Sequence, residues 1–268
     1  MKPRYLIAVD LDGTLLDDQK QISQETVEYF KQLSNDGHII VLASGRPVRT
    51  MVDYYNLLEL KTPMVTYNGA HISGQNSQGF EEFSFKFPKE HIFEIISEME
   101  GAITNIMMET LDVVWLDKPE PNLEIFYASK HVDIIYGDVF KNLTEDPLTL
   151  IVNLKDDSDE TKLKVLQSVR NFPEYEIRFW HSSSYAELYK KNMTKRDGIK
   201  QIAAYYGINP KYTVAIGDAE NDIQMLDWAE IGIAMINGNE SAKRHSDLIS
   251  VASNNDDGVM KTLKTIIK

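Results

Sequence analysis

The sequence predicts an α/β protein: a doubly wound parallel-sheet core with a second, α+β domain inserted into the middle of the chain. Three observations carry this. Apolar runs without alternation recur between amphipathic helical stretches early in the chain and again near its end, as expected of parallel strands buried on both faces. Between these two regions the strands lengthen and are separated by their own helices, a pattern able to bury an independent core. The 268 residues suffice for two ordinary domains. We therefore expect residues 1–81 and 192–268 to build the core and residues 82–191 the insertion.

The first strand, Tyr5-Leu6-Ile7-Ala8-Val9, runs directly into Asp10-Leu11-Asp12-Gly13-Thr14. Strand side chains alternate faces, so Asp10 and Asp12 would point the same way if the extended geometry continued, and a hard cation is expected between them. A polar loop over Leu15–Lys20 leads to Ser23, the N-cap of a helix that sets Val27, Phe30 and Leu33 on one face and ends at Gly37. The strand Ile39–Ala43 stops at Ser44-Gly45-Arg46-Pro47, and Pro47 suits the first turn of a helix carrying Met51, Tyr54, Tyr55 and Leu58. Met64–Tyr67 is the third strand, closing on Asn68-Gly69-Ala70. This βαβαβ succession is Rossmann-like, and in such sheets function gathers in the loops at the carboxyl ends of the strands.

A polar loop spans Ser73–Glu82. In the insertion, the helix Lys89–Glu100 directs Ile92, Ile95, Ile96 and Met99 inward. Strands follow at Asn105–Met108, Val113–Leu116, Thr149–Leu154, Glu176–Trp180 and Ala186–Tyr189, with a helix over Ser158–Asn171. Trp115, Trp180 and Tyr185 read as core of this domain. The core pattern then resumes with a helix at Asp197–Tyr206, a strand at Tyr212–Ile216, and the acidic loop Gly217–Asp222 opening a helix with Met225 and Leu226. Ile231–Met235, a helix from about Asn239, Leu248–Val251 and a terminal helix after Asp257 complete it.

Composition narrows the function. Lys and Arg number 28 against 41 Asp and Glu, a formal charge of −13, which disfavours nucleic acid or an anionic membrane surface as the main partner. An anionic small substrate would then need a metal and a few placed cations. The absence of cysteine removes disulfides, thiolate metal sites and cysteine nucleophiles, and fits a cytoplasmic setting. The N-terminal apolar run is broken by Asp10, too short for a signal-peptide core, and no run would span a bilayer. The six histidines show no metal-ligand spacing, and His181 beside Ser182-Ser183-Ser184 reads as a loop residue rather than part of a serine triad.

The chemistry concentrates in carboxylates. A carboxylate can attack phosphorus to form an aspartyl phosphate, and a second carboxyl nearby can protonate the leaving oxygen and later activate water. Singly, each motif has a structural reading: Ser44 as a helix start, Lys195 as a surface lysine, Asp218 and Asp222 as complements to a helix dipole, Asn68-Gly69 as a turn. Together they form a set. Asp10-Leu11-Asp12-Gly13-Thr14-Leu15, Ala43-Ser44-Gly45-Arg46, Asn68-Gly69-Ala70, Lys195, Gly217-Asp218-Ala219-Glu220-Asn221-Asp222 and Asp257-Gly258-Val259 occur in an order and over a span that resemble the haloacid dehalogenase-like phosphohydrolase superfamily, in particular its Cof-type subfamily. In that subfamily a large cap domain is inserted between the second and third motifs.

The resemblance implies a phosphatase of small phosphorylated metabolites, sugar phosphates or related phosphoesters, with residues 82–191 as the cap. It implies Asp10 as nucleophile and Asp12 as general acid/base. Mg²⁺ would be held by Asp10, the backbone carbonyl of Asp12 and Asp218. The backbone N–H of Leu11, with Ser44, Gly45, Lys195 and Asn221, would cradle the phosphoryl group. Asp222 would stand behind them, orienting Lys195 or a metal-bound water. Two departures bear on specificity: Arg196 and Ile236 occupy positions where the family usually has glycine. The alternatives are a phosphomutase of the same superfamily, and a phosphometabolite-binding regulator with vestigial activity. Oligomeric state is not legible.

Overall fold

The structure, a computed structural model, describes residues 3–127, 132–180 and 183–267; His181 and Ser182, part of the loop read above, lie outside them. The chain divides into two compact units. One comprises Met1–Arg46, Met51–Phe83 and Thr194–Lys268, the other Pro47–Thr50 and Ser84–Met193. The grouping of Pro47–Thr50 with the second unit has no sequence signal.

In the first unit a five-stranded parallel sheet runs in the order Leu248–Ile249, Ile231–Ala234, Thr213–Gly217, Leu6–Val9, Ile39–Leu42. All four residues of Leu6–Val9 are buried, because this strand is central and covered on both faces, which is why its sequence does not alternate. From it the chain moves outward to Ile39–Leu42 and, after the second unit, returns on the other side at Thr213–Gly217. The order therefore reverses between these two strands, and Val9 lies in register with both Leu42 and Ile216. A ligand crevice forms outside the carboxyl ends of strands at such a reversal. Asp10 and Asp218 follow the two strands that flank it.

One face of the sheet, with Leu6, Ala8, Val41, Ala215 and Ala234, packs with Ile199, Ile202, Met225 and Leu226. The helix Gln24–Asn35 contacts both the strand Ile39–Leu42 and the terminal helix Gly258–Ile266. Ser23 caps its helix by accepting from the Thr26 amide at 3.1 Å, as read from sequence. Beside this sheet, Met64–Thr66 pairs antiparallel with a strand His71–Ser73 that the sequence reading leaves as turn and loop. Three residues are too few for any period to register.

The second unit holds a six-stranded sheet in the order Tyr175–Phe179, Tyr185–Lys190, Thr149–Leu154, Ile103–Glu109, Val113–Leu116, Asp133–Tyr136. Only the last pair is parallel. On one face, the helix Lys89–Glu98 through Ile92, Ile95 and Ile96, and the helix Asp159–Gln167 through Val165, close a core around Trp115, Leu150, Val152 and Leu188. The other face gathers Met107, Leu116, Ile151 and Tyr185 with Leu123 and Tyr127, and Trp180 packs against them. The edge strand Asp133–Tyr136 gives no signal in the sequence, because all four residues are exposed and nothing in its pattern marks a buried face. Among the described residues no helix is long and apolar enough to cross a membrane.

Candidate active site

The site is built from loops at the carboxyl ends of the core strands. The strand Leu6–Val9 stops at Val9, although the Asp10 amide still donates to Ile216 O at 3.0 Å. The chain then turns: Thr14 and Leu16 amides both donate to Leu11 O. Gly13 sits in the left-handed region at φ +74°, and a Cβ there would lie 2.5 Å from Asp218 Oδ2. Glycine is thus required twice over, by conformation and by space.

The turn corrects one expectation. Extended geometry does not persist through Asp12, so the two carboxylates do not share one cation between them. Asp12 carries cations of its own: Arg46 Nε donates to Oδ2 at 2.6 Å, and Arg46 Nη2 and Lys20 Nζ to Oδ1, each at 2.7 Å. Burial works to raise the Asp12 pKa, but the hydrogen bonds and charges of Arg46 and Lys20 outweigh it and hold the carboxyl below its ordinary value. Arg46 belongs to a motif singled out from sequence without a role; Lys20 had no signal beyond lying in a polar loop.

Asp10 is 4 % exposed and faces a different group. Lys195 Nζ, fully buried, donates to Asp10 Oδ1 at 2.6 Å and to Asp222 Oδ1 at 2.7 Å. Lys195 opens the helix Lys195–Tyr205, whose start is fixed by a capping box in which the Thr194 amide donates to Asp197 Oδ2 at 3.1 Å. Asp222 is also spoken for at its second oxygen, which accepts from the Asp218 and Ala219 amides at 2.9 and 3.0 Å. It therefore holds the acidic loop and Lys195 in one arrangement. Asp218 is fixed through its carbonyl, which accepts from the Asn239 amide at 2.8 Å.

Asp10, Asp218 and Asp222 each offer a carboxylate oxygen within 4.8 Å of the others. Both oxygens of Asp222 are already engaged, which leaves Asp10 and Asp218 as the pair open to a cation. Burial raises the Asp10 pKa; Lys195 opposes this, and the charge of Asp222 adds to it. Asp218 is raised likewise by burial and by Asp10. Two desolvated carboxylates with one lysine between them and Asp222 lack positive charge, and an all-oxygen donor set of this kind fits a hard divalent cation. Burial alone would lower the Lys195 pKa, but Asp10 and Asp222 raise it above the ordinary lysine value, so the lysine stays charged.

A second set of residues is linked through Asn68. Ser44 is buried, its hydroxyl accepts from the Arg46 amide at 3.2 Å, and its carbonyl accepts from the Asn68 amide at 3.0 Å. Asn68 Oδ1 in turn accepts from Asn221 Nδ2 at 3.0 Å, and Gly45 lies so close that a Cβ would meet the Asn68 amide nitrogen at 3.0 Å. Asn68, a left-handed residue at φ 53°, thus ties the Ser44-Gly45 loop to the Asn221 loop. Its sequence, Asn-Gly, signals only a turn. Arg196 folds back on Asp197, with Nη2 2.8 Å from Oδ1, and Ile236 is half exposed.

The chain is similar to known proteins over nearly its whole length. The sequence model of a family described as haloacid dehalogenase-like hydrolase matches residues 7–263. Two Bacillus subtilis proteins are similar over nearly their whole length. The 5-amino-6-(5-phospho-D-ribitylamino)uracil phosphatase YitU is 31 % identical over 97 % of this chain and 96 % of its own. The 5-amino-6-(5-phospho-D-ribitylamino)uracil phosphatase YcsE is 27 % identical over 97 % and 94 %. The crystal structure of a haloacid dehalogenase-like hydrolase from Bacteroides thetaiotaomicron superposes with a TM-score of 0.80 at 24 % identity, covering 98 % of this chain and 99 % of that one, which shows a shared fold. With the match running from the first core strand into the terminal helix, the chain belongs to the haloacid dehalogenase-like hydrolases, in their Cof-type branch.

Proposed function

We propose that this protein is a Mg²⁺-dependent phosphatase that hydrolyses small phosphorylated metabolites through an aspartyl phosphate on Asp10. The observation that supports it best is the division of the two carboxylates: Asp10 lies on Lys195 beside Asp218, while Asp12 is held apart on Arg46 and Lys20. A nucleophile and a proton carrier need separate environments. In the first half-reaction an Asp10 oxygen bonds to phosphorus, the P–O bond to the leaving group breaks, and Asp12, entering the step with the proton it took from water at the end of the previous turnover, gives that proton to the leaving oxygen. In the second, Asp12 takes a proton from water as the water oxygen bonds to phosphorus and the bond to Asp10 breaks. Lys195 holds Asp10 in line and offsets charge on the phosphoryl oxygens, and Ser44, Gly45, Asn221 and the Leu11 amide provide donors around them. Mg²⁺ held by Asp10, Asp218 and the Asp12 carbonyl would screen the approach of one anion to another. The segment 82–191 serves as a cap that reads the leaving group.

The two relatives named for 5-amino-6-(5-phospho-D-ribitylamino)uracil make that compound, a phosphorylated pentitol on a pyrimidine, the first substrate to try. Phosphate release with Mg²⁺ is expected from it and, more slowly, from hexose and pentose phosphates. No turnover across such a panel would refute the phosphatase reading. Isomerised sugar phosphate with little free phosphate would replace it by a mutase.

The acidic pair also sets a pH signature. Asp10 and Asp218 bind protons more tightly folded than unfolded, so without metal their contribution to stability is full below the ordinary carboxylate pKa and is lost as pH rises through the raised values. Mg²⁺ takes the place of the proton. At a hundredfold excess over its dissociation constant it is expected to raise Tm by roughly 5–10 °C at about pH 8, and much less at about pH 5.5. Asp218→Asn is expected to raise the metal-free Tm at the higher pH and to shrink the Mg²⁺ shift. Equal Mg²⁺ shifts at both pH values would argue against metal binding at this pair.

A further inference from the structure

We propose that Lys20 is a positioning residue for Asp12, acting with Arg46 to fix the carboxyl that exchanges a proton with the leaving group; this rests on the phosphatase reading above. The two cations on Asp12 differ in standing. Arg46 is buried, grips one edge of the carboxyl with two nitrogens, and lies over the Tyr54 ring at 5.6 Å from its centroid. Lys20 comes from a different loop, is exposed, and places Nζ 2.7 Å from Oδ1. An exposed lysine on a carboxylate is ordinarily a weak and dispensable contact.

The way Lys20 is held is not ordinary. Its backbone lies at φ +61°, a region that side-chain-bearing residues rarely adopt and that persists only where the surroundings impose it. Here they do. The Lys20 amide donates to Asp17 O at 2.9 Å, the Asp17 amide to Gln21 O at 3.0 Å, and the Gln21 amide to Asp17 Oδ1 at 2.8 Å. The Tyr54 hydroxyl donates to Lys20 O at 2.9 Å, so one tyrosine braces both cations, the arginine with its ring and the lysine with its hydroxyl. Asp18 is tied down by Asn254 and Asn255. A surface loop fastened at this many points aims its one lysine at Asp12. Two anchors from separate loops hold a carboxyl still where a single one would let it follow the motion of its partner, and catalytic geometry tolerates little of that.

The consequence depends on the leaving group. When the P–O bond breaks, its electron pair stays on the leaving oxygen; an alkoxide needs the Asp12 proton at that moment, whereas p-nitrophenolate does not. The test compares kcat/KM, which reports the steps through aspartyl-phosphate formation, for p-nitrophenyl phosphate and for an alkyl phosphate monoester turned over by the wild type. Lys20→Met keeps the aliphatic stem and removes the donor. Compared at each protein's own pH optimum, since loss of the ammonium also eases protonation of Asp12, it is expected to lower kcat/KM for the alkyl phosphate about 10-fold and for p-nitrophenyl phosphate less than about 2-fold. Lys20→Arg should restore most of the loss, and Tyr54→Phe should show the same selectivity with a smaller loss. An equal loss on both substrates, or none on either, overturns the proposal. A wild type inert towards both overturns the phosphatase reading and this inference with it.

Discussion

Asp10→Asn is expected to lower Mg²⁺-supported phosphate release by on the order of 10⁴-fold or more while leaving the fold intact, because the substitution removes the proposed nucleophile and little else. The asparagine oxygen can still accept from Lys195, which in the wild type lies 2.6 Å from Asp10 Oδ1. It also takes one negative charge out of a crowded group, so the metal-free Tm should stay level or rise. Acid-quenched reactions should yield no covalent phosphoprotein. Asp12→Ala is expected to fail differently. Its contacts are with Arg46 and Lys20, not with the Lys195 that Asp10 touches, so an aspartyl phosphate should still form, more slowly, and persist longer once formed. A fully active Asp12→Ala protein, or a covalent phosphoprotein from Asp10→Asn, would refute the division of labour.

Lys195→Met is expected to be the most damaging single change to stability, at about 3–5 kcal/mol in denaturant unfolding, because it leaves two buried carboxylates without their shared partner. Both of those partners, Asp10 and Asp222, are nearly inaccessible, and the lysine has no exposed surface at all. Asp222 would keep only its two backbone donors. The deficit should shrink as pH is lowered and the orphaned Asp10 carboxyl takes up a proton, and Mg²⁺ should offset part of it. Activity should fall with it, by roughly 10²–10³-fold in the protein that remains folded, since the charge proposed to act on the phosphoryl oxygens is lost. A loss of less than about 1 kcal/mol would mean that the Lys195 cluster is hydrated and not the closed charge network described above.

Local features of this protein are written in local sequence. The unalternating run Leu6–Val9 announces a strand covered on both faces, Ser23 and Ser158 announce helix starts, and each does what its chemistry dictates within a few residues of itself. The motifs that carry the family resemblance are local too, and they name Asp10, Ser44, Lys195 and Asp218 before any distance is known. What stays hidden is short or exposed structure, such as His71–Ser73 and Asp133–Tyr136, whose residues carry no period to read.

The tertiary structure decided which charges meet. Lys195 joins Asp10 across 185 positions of chain, Arg46 reaches Asp12 across 34, and Asn221 reaches Asn68 across 153. No spacing rule connects such pairs; the order of strands in the sheet does, by bringing the ends of Leu6–Val9, Ile39–Leu42 and Thr213–Gly217 to one edge. The opening motif shows the difference most plainly. Sequence determined that two carboxylates stand two residues apart after a buried strand. Only the turn at Leu11, with glycine forced at position 13 by the approach of Asp218, gave each carboxylate its own cations, because the direction of a side chain is set by backbone torsions and neighbours that the motif does not contain.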